Sequence, residues 1–418
     1  MKLSNYNYWY KSQNDDYFIW NTISGSIIKI DPNEYELLSS HQFGKMEDNI
    51  VENLKNNGVL ISDEIDELRI LEFDSLYFSF NNPIHIRILT TTACNAKCPY
   101  CYEKDLPSIT MTKSTADQVV TFIKERILNT QGLSTDKIHI EWFGGEPLVN
   151  HSIISYICDK MSQNNLSFES TMASNAILFS ERVVQEAKER WNLQRVQITL
   201  DGIFEDYNNA KGVLPGTFEL VINNIKLLLA NDIWVSIRIN YFGQDNTVIS
   251  LIHYISHEFL QQKERISIYI YPLFNACEEI PASIMENVIM LNRIIISEGL
   301  MNKEEIYYRR YRNTRCFATN LHGFTVAPDG LLYNCTHAMN KQESIGSIWK
   351  YSNYNTNKLL FLHTSFSEKC KSCFLLPICK GGCKAAELGK ANMNQCIIYK
   401  SVIDLVLNEL TYNATKEV

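Results

Sequence analysis

Ten of the twelve cysteines in this 418-residue chain fall into two ordered groups. The first is Cys94-Asn-Ala-Lys-Cys98-Pro-Tyr-Cys101, three thiols on one short loop that can converge on a single iron–sulfur cluster. A closed [4Fe–4S] electron carrier uses four cysteine ligands. Three leave one iron with exchangeable coordination, and such an iron can chelate an amino group and a carboxylate together, the two ends of an amino acid. Two other chemistries compete for these residues. Structural zinc takes cysteines in close pairs but wants four protein ligands, and no second pair lies near Cys94. Dithiol redox chemistry would use Cys98 and Cys101 and leave Cys94 without a role.

The second group runs Cys316, Cys335, Cys370-x-x-Cys373, Cys379, Cys383 and Cys396, seven cysteines in regular order near the end of the chain. Cluster ligation and a zinc-ribbon-like module both account for the Cys-x-x-Cys pair. Cys158 lies in an apolar helical pattern and reads as a core thiol, whereas Cys277 is either an incidental buried thiol or a further ligand. Clustered cysteines point to metal where thiols stay reduced, and the chain shows no export signal: its start, Met-Lys-Leu-Ser-Asn-Tyr, opens no apolar run of signal-peptide length, and no segment is apolar enough to span a membrane. A cytoplasmic protein is expected. The net charge of -8 gives no basic surface for nucleic acid or an anionic membrane, so neither is expected as a partner.

Other polar groups sit where strands should end. Between about residues 83 and 272, six apolar β-rich runs occur at 84–89, 137–143, 168–174, 195–200, 234–240 and 266–271, with helical patterns in the gaps. Ser114 to Leu128 is one such helix, with Asp117 placed for a capping box after Ser114, and Thr217 to Ala230 is another. Alternating strands and helices mean parallel βαβ units, in a partial barrel or an open doubly wound sheet. Just past the strands come the Cys94 loop, Gly144-Gly145-Glu146-Pro147, Ser174-Asn175 and Asp201-Gly202, on the rim where barrel enzymes carry their chemistry. Ahead of the barrel, residues 17–28 pattern as a hairpin turning at Asn21 to Ser26. A helix around Ile50, Val51 and Leu54 ends at Gly58 before Val59-Leu60-Ile61, together a small α+β unit like a winged helix.

With the cysteine spacing, Tyr100 before the last cysteine and the Gly-Gly-Glu-Pro segment, residues 84–272 resemble the radical S-adenosylmethionine (SAM) superfamily. The resemblance implies a partial (β/α)6 TIM-like barrel, a [4Fe–4S] cluster on Cys94, Cys98 and Cys101, and SAM on its open iron. It places the methionine amino group at Gly144, Gly145 and Glu146. Ser174 and Asn175 stand for a strand-end Ser-Asn-Gly near the ribose or carboxylate, with Ala176 replacing the usual glycine. Arg238 and Asn240 share one face of the fifth strand and reach the carboxylate or ribose by the same likeness, with a structural ion pair as the other reading of Arg238. Asp201-Gly202 serves substrate or only its turn. Lys211 stands where many relatives carry arginine, and because lysine lacks the bidentate fork it is left outside the expected site.

Residues 310–400, with the hairpin cue Val326-Ala-Pro-Asp-Gly-Leu-Leu-Tyr, resemble the SPASM extension of peptide-modifying radical SAM enzymes. That implies two auxiliary [4Fe–4S] clusters, one on Cys370, Cys373, Cys379 and Cys396, the other on Cys316, Cys335 and Cys383, its last site open or closed by Cys277. Arg310 and its neighbours offer no further cysteine. The N-terminal unit resembles the PqqD-like domains that bind leader peptides by strand addition, or it is a cap that stabilises the barrel. The expected domains are 1–80, 81–305 and 306–418. The implied activity is thioether or carbon–carbon crosslinking of a ribosomally made precursor peptide, with flavodoxin or ferredoxin as electron donor. Sulfatase-maturase-like oxidation, epimerisation and a non-catalytic peptide scaffold are the alternatives. Thr336, where a sulfatase maturase carries an aspartate base, argues against the first of these.

Overall fold

The computed structural model describes residues 1–12, 14–104, 106–128, 138–273, 282–300, 315–363 and 365–389, with single positions 403 and 407. Cys277, Arg310, Cys396 and the boundary expected near residue 305 lie outside the described residues.

The N-terminal unit comprises β1 (Lys2–Leu3), β2 (Asn7–Lys11), β3 (Tyr17–Asn21), β4 (Ile27–Ile30), α1 (Pro32–Ser39), α2 (Asp48–Asn56) and β5 (Leu60–Ile61). Strands β2, β3 and β4 form an antiparallel sheet, and β1 pairs with β5. The expected hairpin is thus present as β3–β4. Helix α1 starts with a full capping box, Asp31 and Glu34 each satisfying the other's backbone N–H, and with Pro32 in its first turn. Alternation along β3 sends Ile19 into the unit's own core with Leu38, Phe43, Leu54 and Val59, while Phe18 and Trp20 join the main core.

Helix α3 (Glu67–Asn81) leads into six parallel strands, β6 (His85–Thr91), β7 (Ile138–Gly144), β8 (Phe168–Ser174), β9 (Leu193–Thr199), β10 (Trp234–Tyr241) and β11 (Ile266–Pro272). Their crossovers carry α4 (Lys113–Leu128), α5 (His151–Gln163), α6 (Glu181–Glu189), α7 (Phe204–Lys211), α8 (Thr217–Ala230) and α9 (Asp245–Glu258), with α10 (Ala282–Ser297) after β11. All six expected strands are present. The expected cap of α4 is not: the helix begins one residue earlier than Ser114, and the Thr112 hydroxyl takes the capping role, accepting from the Thr115 amide at 3.2 Å.

One face of the strands is apolar and packs on the helices, with Ile86, Ile88, Ile140 and Trp142 fully buried. The opposite face is polar, with His85 and Arg87 on β6, His139 and Glu141 on β7, and Arg238 and Asn240 on β10. That face is concave, since the Tyr269 hydroxyl on β11 reaches past β10 to the Gln197 Oε1 on β9 at 2.7 Å. This is a partial barrel with a polar lumen.

The C-terminal region continues the same sheet. Strand β12 (Gly323–Val326) lies parallel against β6, and β13 (Leu331–Tyr333), β14 (Gly346–Ser347) and β15 (Lys350–Tyr351) follow antiparallel. It therefore does not stand apart from the barrel, because β12 satisfies the open hydrogen-bonding edge of β6. The Lys358 ammonium, on α11 (Thr356–Leu362) and fully buried, donates to the Asn320 and Gly323 carbonyls at 2.7 Å each and so fixes the turn before β12. Among the described residues no helix is long and apolar enough to cross a membrane.

Candidate cluster and cofactor site

The loop bearing Cys94, Cys98 and Cys101 leaves the C-terminal end of β6 and is closed at its base, where the Thr91 and Thr92 hydroxyls donate to the Ile109 and Pro107 carbonyls at 3.0 and 2.6 Å. Cys94 is exposed and the other two thiols are half-buried. The end of β7 presses directly on this loop. The Gly145 and Glu146 amides donate to the Thr91 and Ala93 carbonyls at 3.1 and 2.9 Å. A Cβ on Gly144 would stand 2.1 Å from the Thr91 oxygen, and one on Gly145 would stand 2.5 Å from the Thr92 and Ala93 oxygens. Only glycine permits that approach.

Glu146 is fully buried and ties three elements together. Its carboxylate accepts from the Ser174 hydroxyl at 2.9 Å, the Asn175 amide at 2.7 Å and the Leu148 amide at 3.1 Å. Asn175 in turn donates from its side chain to Asn95 at 2.7 Å inside the cysteine loop. Sequence expectation made Glu146, Ser174 and Asn175 separate cofactor contacts, whereas here they form one strut. Ala176, in place of the usual glycine, adopts the left-handed conformation with φ 63°, its amide donating to the Ser174 hydroxyl at 2.9 Å.

Burial pushes the Glu146 carboxyl up to about 7, and among the described residues no cation pairs with it. An ammonium would supply the missing charge. The Tyr207 hydroxyl, buried on α7 beside Asp201, Cys98 and Glu146, likewise has no hydrogen-bond partner among the described residues. A buried donor without an acceptor costs about 1–3 kcal/mol, as expected where a bound group completes the site. Three thiols, an uncompensated carboxylate and an orphan donor fit an iron–sulfur cluster with SAM. Ligands of one cubane bind different irons and stand farther apart than ligands of one ion, and among the described residues no three His, Cys, Asp or Glu side chains gather as they would on a single metal.

Tyr100 is held from the other side of the rim. Its hydroxyl bonds to the Asp201 carboxylate, and the Lys211 ammonium reaches both the Tyr100 hydroxyl and Asp201 Oδ2 at 2.8 Å. Both ends of that ion pair are buried. The Lys97 amide donates to the Lys211 carbonyl at 2.8 Å, so α7 grips the cysteine loop twice. Lys211, left outside the expected site, thus stands against Tyr100 and Asp201 beside the cysteine loop, where a point charge suffices and no guanidinium fork is needed. Asp201 also accepts from the Asn240 amide at 3.2 Å. Arg238 donates to the Asn240 side chain at 2.9 Å and lies 3.8 Å over the Tyr271 ring. Its ion-pair reading finds no carboxylate partner among the described residues.

The second cysteine group begins beside the same lumen. Cys316, Cys335 and Cys383 are mutual neighbours, and Cys335 and Cys383 pack with Ala318, Phe361 and Ala385. Burial pushes both the Cys316 and Cys335 thiols up, Cys316 to about 11, although part of the Cys316 residue remains accessible at the surface. Cys370 and Cys379 lie on two short helical turns, Glu368–Lys371 and Leu376–Cys379, with Cys373 between them, all three half-buried. Cys158 is fully buried in the core, as its apolar pattern requires. Sequence reading missed Arg87 and Glu141, which pair in the lumen at 2.8 Å. The available signal was a charge at alternate positions of two apolar strands.

Residues 88–251 match the Radical SAM superfamily model. A GTP 3′,8-cyclase of Clostridium perfringens is 30% identical over 157 residues, 37% of this chain and 45% of the relative. This chain thus spans less than half the length of such relatives. The radical SAM cyclopropyl synthase TigE of Paramaledivibacter caminithermalis is 21% identical over 361 residues, 76% of this chain and 72% of the relative. Among solved structures, anSMEcpe with AdoMet and a peptide bound superposes with a TM-score of 0.59 at 18% identity, covering 81% of this chain and all of that one (100%). Streptococcus suis SuiB bound to S-adenosylmethionine gives 0.51 at 15% identity over 94% and 97%. These likenesses establish the partial-barrel fold.

Proposed function

We propose that this chain, which carries a radical SAM domain over residues 88–251, modifies a ribosomally made precursor peptide by forming a thioether or carbon–carbon crosslink. The observation that carries this reading is the placement of two cysteine groups beside one polar lumen, the first on the exposed Cys94 loop and the second starting at Cys316 and Cys335. Cys94, Cys98 and Cys101 would hold a [4Fe–4S] cluster whose open iron takes SAM, and Cys316, Cys335 and Cys383, with Cys370, Cys373, Cys379 and Cys396, would hold two auxiliary clusters. When bound, the first cluster and SAM supply one-electron reduction and a carbon-centred radical that removes a hydrogen atom from the substrate.

The remaining work falls to the chain's own residues. Gly144 and Gly145 let β7 close on the cysteine loop, and Glu146 sets the relation of that loop to Ser174 and Asn175 while offering its charge to the methionine ammonium. Tyr100, Asp201 and Lys211 anchor the far side of the loop, and Arg238 offers a cation to a carboxylate at the lumen mouth. Among the described residues β4 pairs only with β3 in its sheet, an edge that a leader peptide would extend. Flavodoxin or ferredoxin would deliver the electron. The sulfatase-maturase alternative lacks its base, because Thr336 holds a hydroxyl between Arg87 and Tyr102 where a carboxylate would be needed.

The test is anaerobic incubation of reduced, iron-reconstituted protein with SAM and a short peptide encoded beside its gene. The expected products are 5′-deoxyadenosine and a peptide lighter by two hydrogens, both lost in Cys98→Ala. Unchanged peptide mass with an inverted residue would mean epimerisation. Absence of 5′-deoxyadenosine would leave a peptide-binding scaffold.

A further inference from the structure

Two residues that each directly follow a cysteine in the chain meet at the Arg87 side chain, and a third such residue touches one of them. Thr336 follows Cys335, Phe317 follows Cys316 and Tyr102 follows Cys101. The Arg87 Nη1 donates to the Thr336 hydroxyl at 3.1 Å, and the guanidinium lies 4.8 Å from the centre of the Phe317 ring. The Tyr102 hydroxyl lies 3.4 Å from the same Thr336 oxygen, and its ring packs at 4.6 Å on His337. On the barrel side, Arg87 donates from Nε and Nη2 to the Glu141 carboxylate at 2.9 and 2.8 Å, with the Phe143 ring 4.7 Å away. Planar, multiply donating guanidinium is the side chain that can bond in two directions and stack between two rings at once.

We propose that Arg87 is a positioning and charge-setting residue for a cluster held by Cys316, Cys335 and Cys383: it fixes that cluster to the barrel lumen through Thr336 and Phe317, and it raises the cluster's reduction potential. This rests on the reading of those cysteines as cluster ligands. Reduction adds negative charge to a cluster, and a fixed cation beside its ligands stabilises the added electron, since net charge and hydrogen bonding around the sulfurs set the potential. Arg87 lies one residue from both Cys335 and Cys316 in this geometry, through its bond to Thr336 and its stacking on Phe317. Glu141 offsets part of that charge, and His85 stands 3.6 Å from the same carboxylate. The pair is thus a setting device with two handles of opposite sign.

The experiment is an EPR-monitored redox titration of the full chain carrying Cys94→Ala, Cys98→Ala and Cys101→Ala, so that the SAM-binding set is absent. The signal followed is the one that Cys335→Ala removes. Arg87→Gln is expected to shift its midpoint to lower potential and Glu141→Gln to higher potential, while Arg87→Lys, which keeps the charge, restores most of the Arg87→Gln shift. A purely structural role would move both glutamine variants in the same direction. Midpoints that stay in place, or move together, overturn the Arg87 assignment while leaving the ligand reading intact. Iron content and signals unchanged by Cys316→Ala, Cys335→Ala and Cys383→Ala would instead remove the cluster reading, and the proposal with it.

Discussion

At Lys211 a buried ammonium meets the buried Asp201 carboxylate, and removing either partner leaves the other uncompensated. Lys211→Met is expected to cost about 3–5 kcal/mol in urea unfolding, whereas Lys211→Met combined with Asp201→Asn recovers much of that loss because no lone charge remains. If the single and double variants unfold alike, the pair does not carry the coupling described. Glu146 makes a prediction with a defined pH sign. Burial raises its carboxyl to about 7 in the folded chain, against an ordinary glutamate near 4.3. The stabilisation is therefore full below the ordinary value, falls as pH rises from there and is gone once pH has passed through 7, a loss of about 4 kcal/mol. Glu146→Gln should flatten that part of the stability–pH curve relative to the parent chain. The cysteine trio reads as a cluster set from its spacing, and Gly144-Gly145-Glu146 reads as a cofactor segment through its resemblance to the radical SAM superfamily. Lys211 and Arg87 were not legible in either way, because their meaning comes from partners far along the chain: Arg87 faces Glu141 only through the parallel register of β6 and β7.

Elements were the most legible level, since apolar runs of strand length alternating with helical patterns leave few arrangements besides parallel βαβ units. Even so, the start of α4 shifted, because the Thr112 hydroxyl reaches the first-turn amides and Ser114 lies inside the helix. The hairpin at Val326 to Tyr333 was also readable from its Asp329-Gly330 turn. Its pairing with β6 was not, since that contact closes a loop of more than two hundred residues and leaves no local signal. The closest fit between elements is where β7 meets the cysteine loop. Gly145→Ala places a methyl 2.5 Å from two carbonyl oxygens, so loop or strand must move. Reconstituted Gly145→Ala is expected to lose SAM affinity by tenfold or more, read by equilibrium dialysis, while its thermal unfolding shifts little because the apolar face of the barrel is untouched. Wild-type affinity in that variant would separate the glycines from cofactor binding.

Across the whole molecule, the N-terminal unit rests on the turn that carries the second cysteine pair. The Tyr6 hydroxyl donates to the Lys371 carbonyl at 3.1 Å, the Thr22 hydroxyl donates to the Phe374 carbonyl, and the Tyr8 ring stacks on Phe374 at 4.4 Å. Phe374 directly follows Cys373, and the Cys373 amide is bonded to the Cys370 carbonyl at 3.0 Å. A unit expected to bind a leader peptide thus braces part of the second cysteine group. Its docking residues carry no sequence mark, being ordinary aromatics and a threonine whose partners lie more than 350 residues away. Three cubanes would give about twelve irons per chain. Phe374→Ala removes the stacking surface and leaves a cavity, a change that costs about 3–5 kcal/mol when the ring is well packed. It should lower the iron count toward about eight by loosening the Cys370–Cys373 turn, with the Cys94 cluster retained. The same variant should make the chain between β5 and α3 more sensitive to limited proteolysis, because the N-terminal unit loses the ring that Tyr8 stacks on. Twelve irons with a freed N-terminal unit would show the two parts to be independent. A wild-type count near four would mean that only the barrel holds a cluster, and the second cysteine group would need another chemistry.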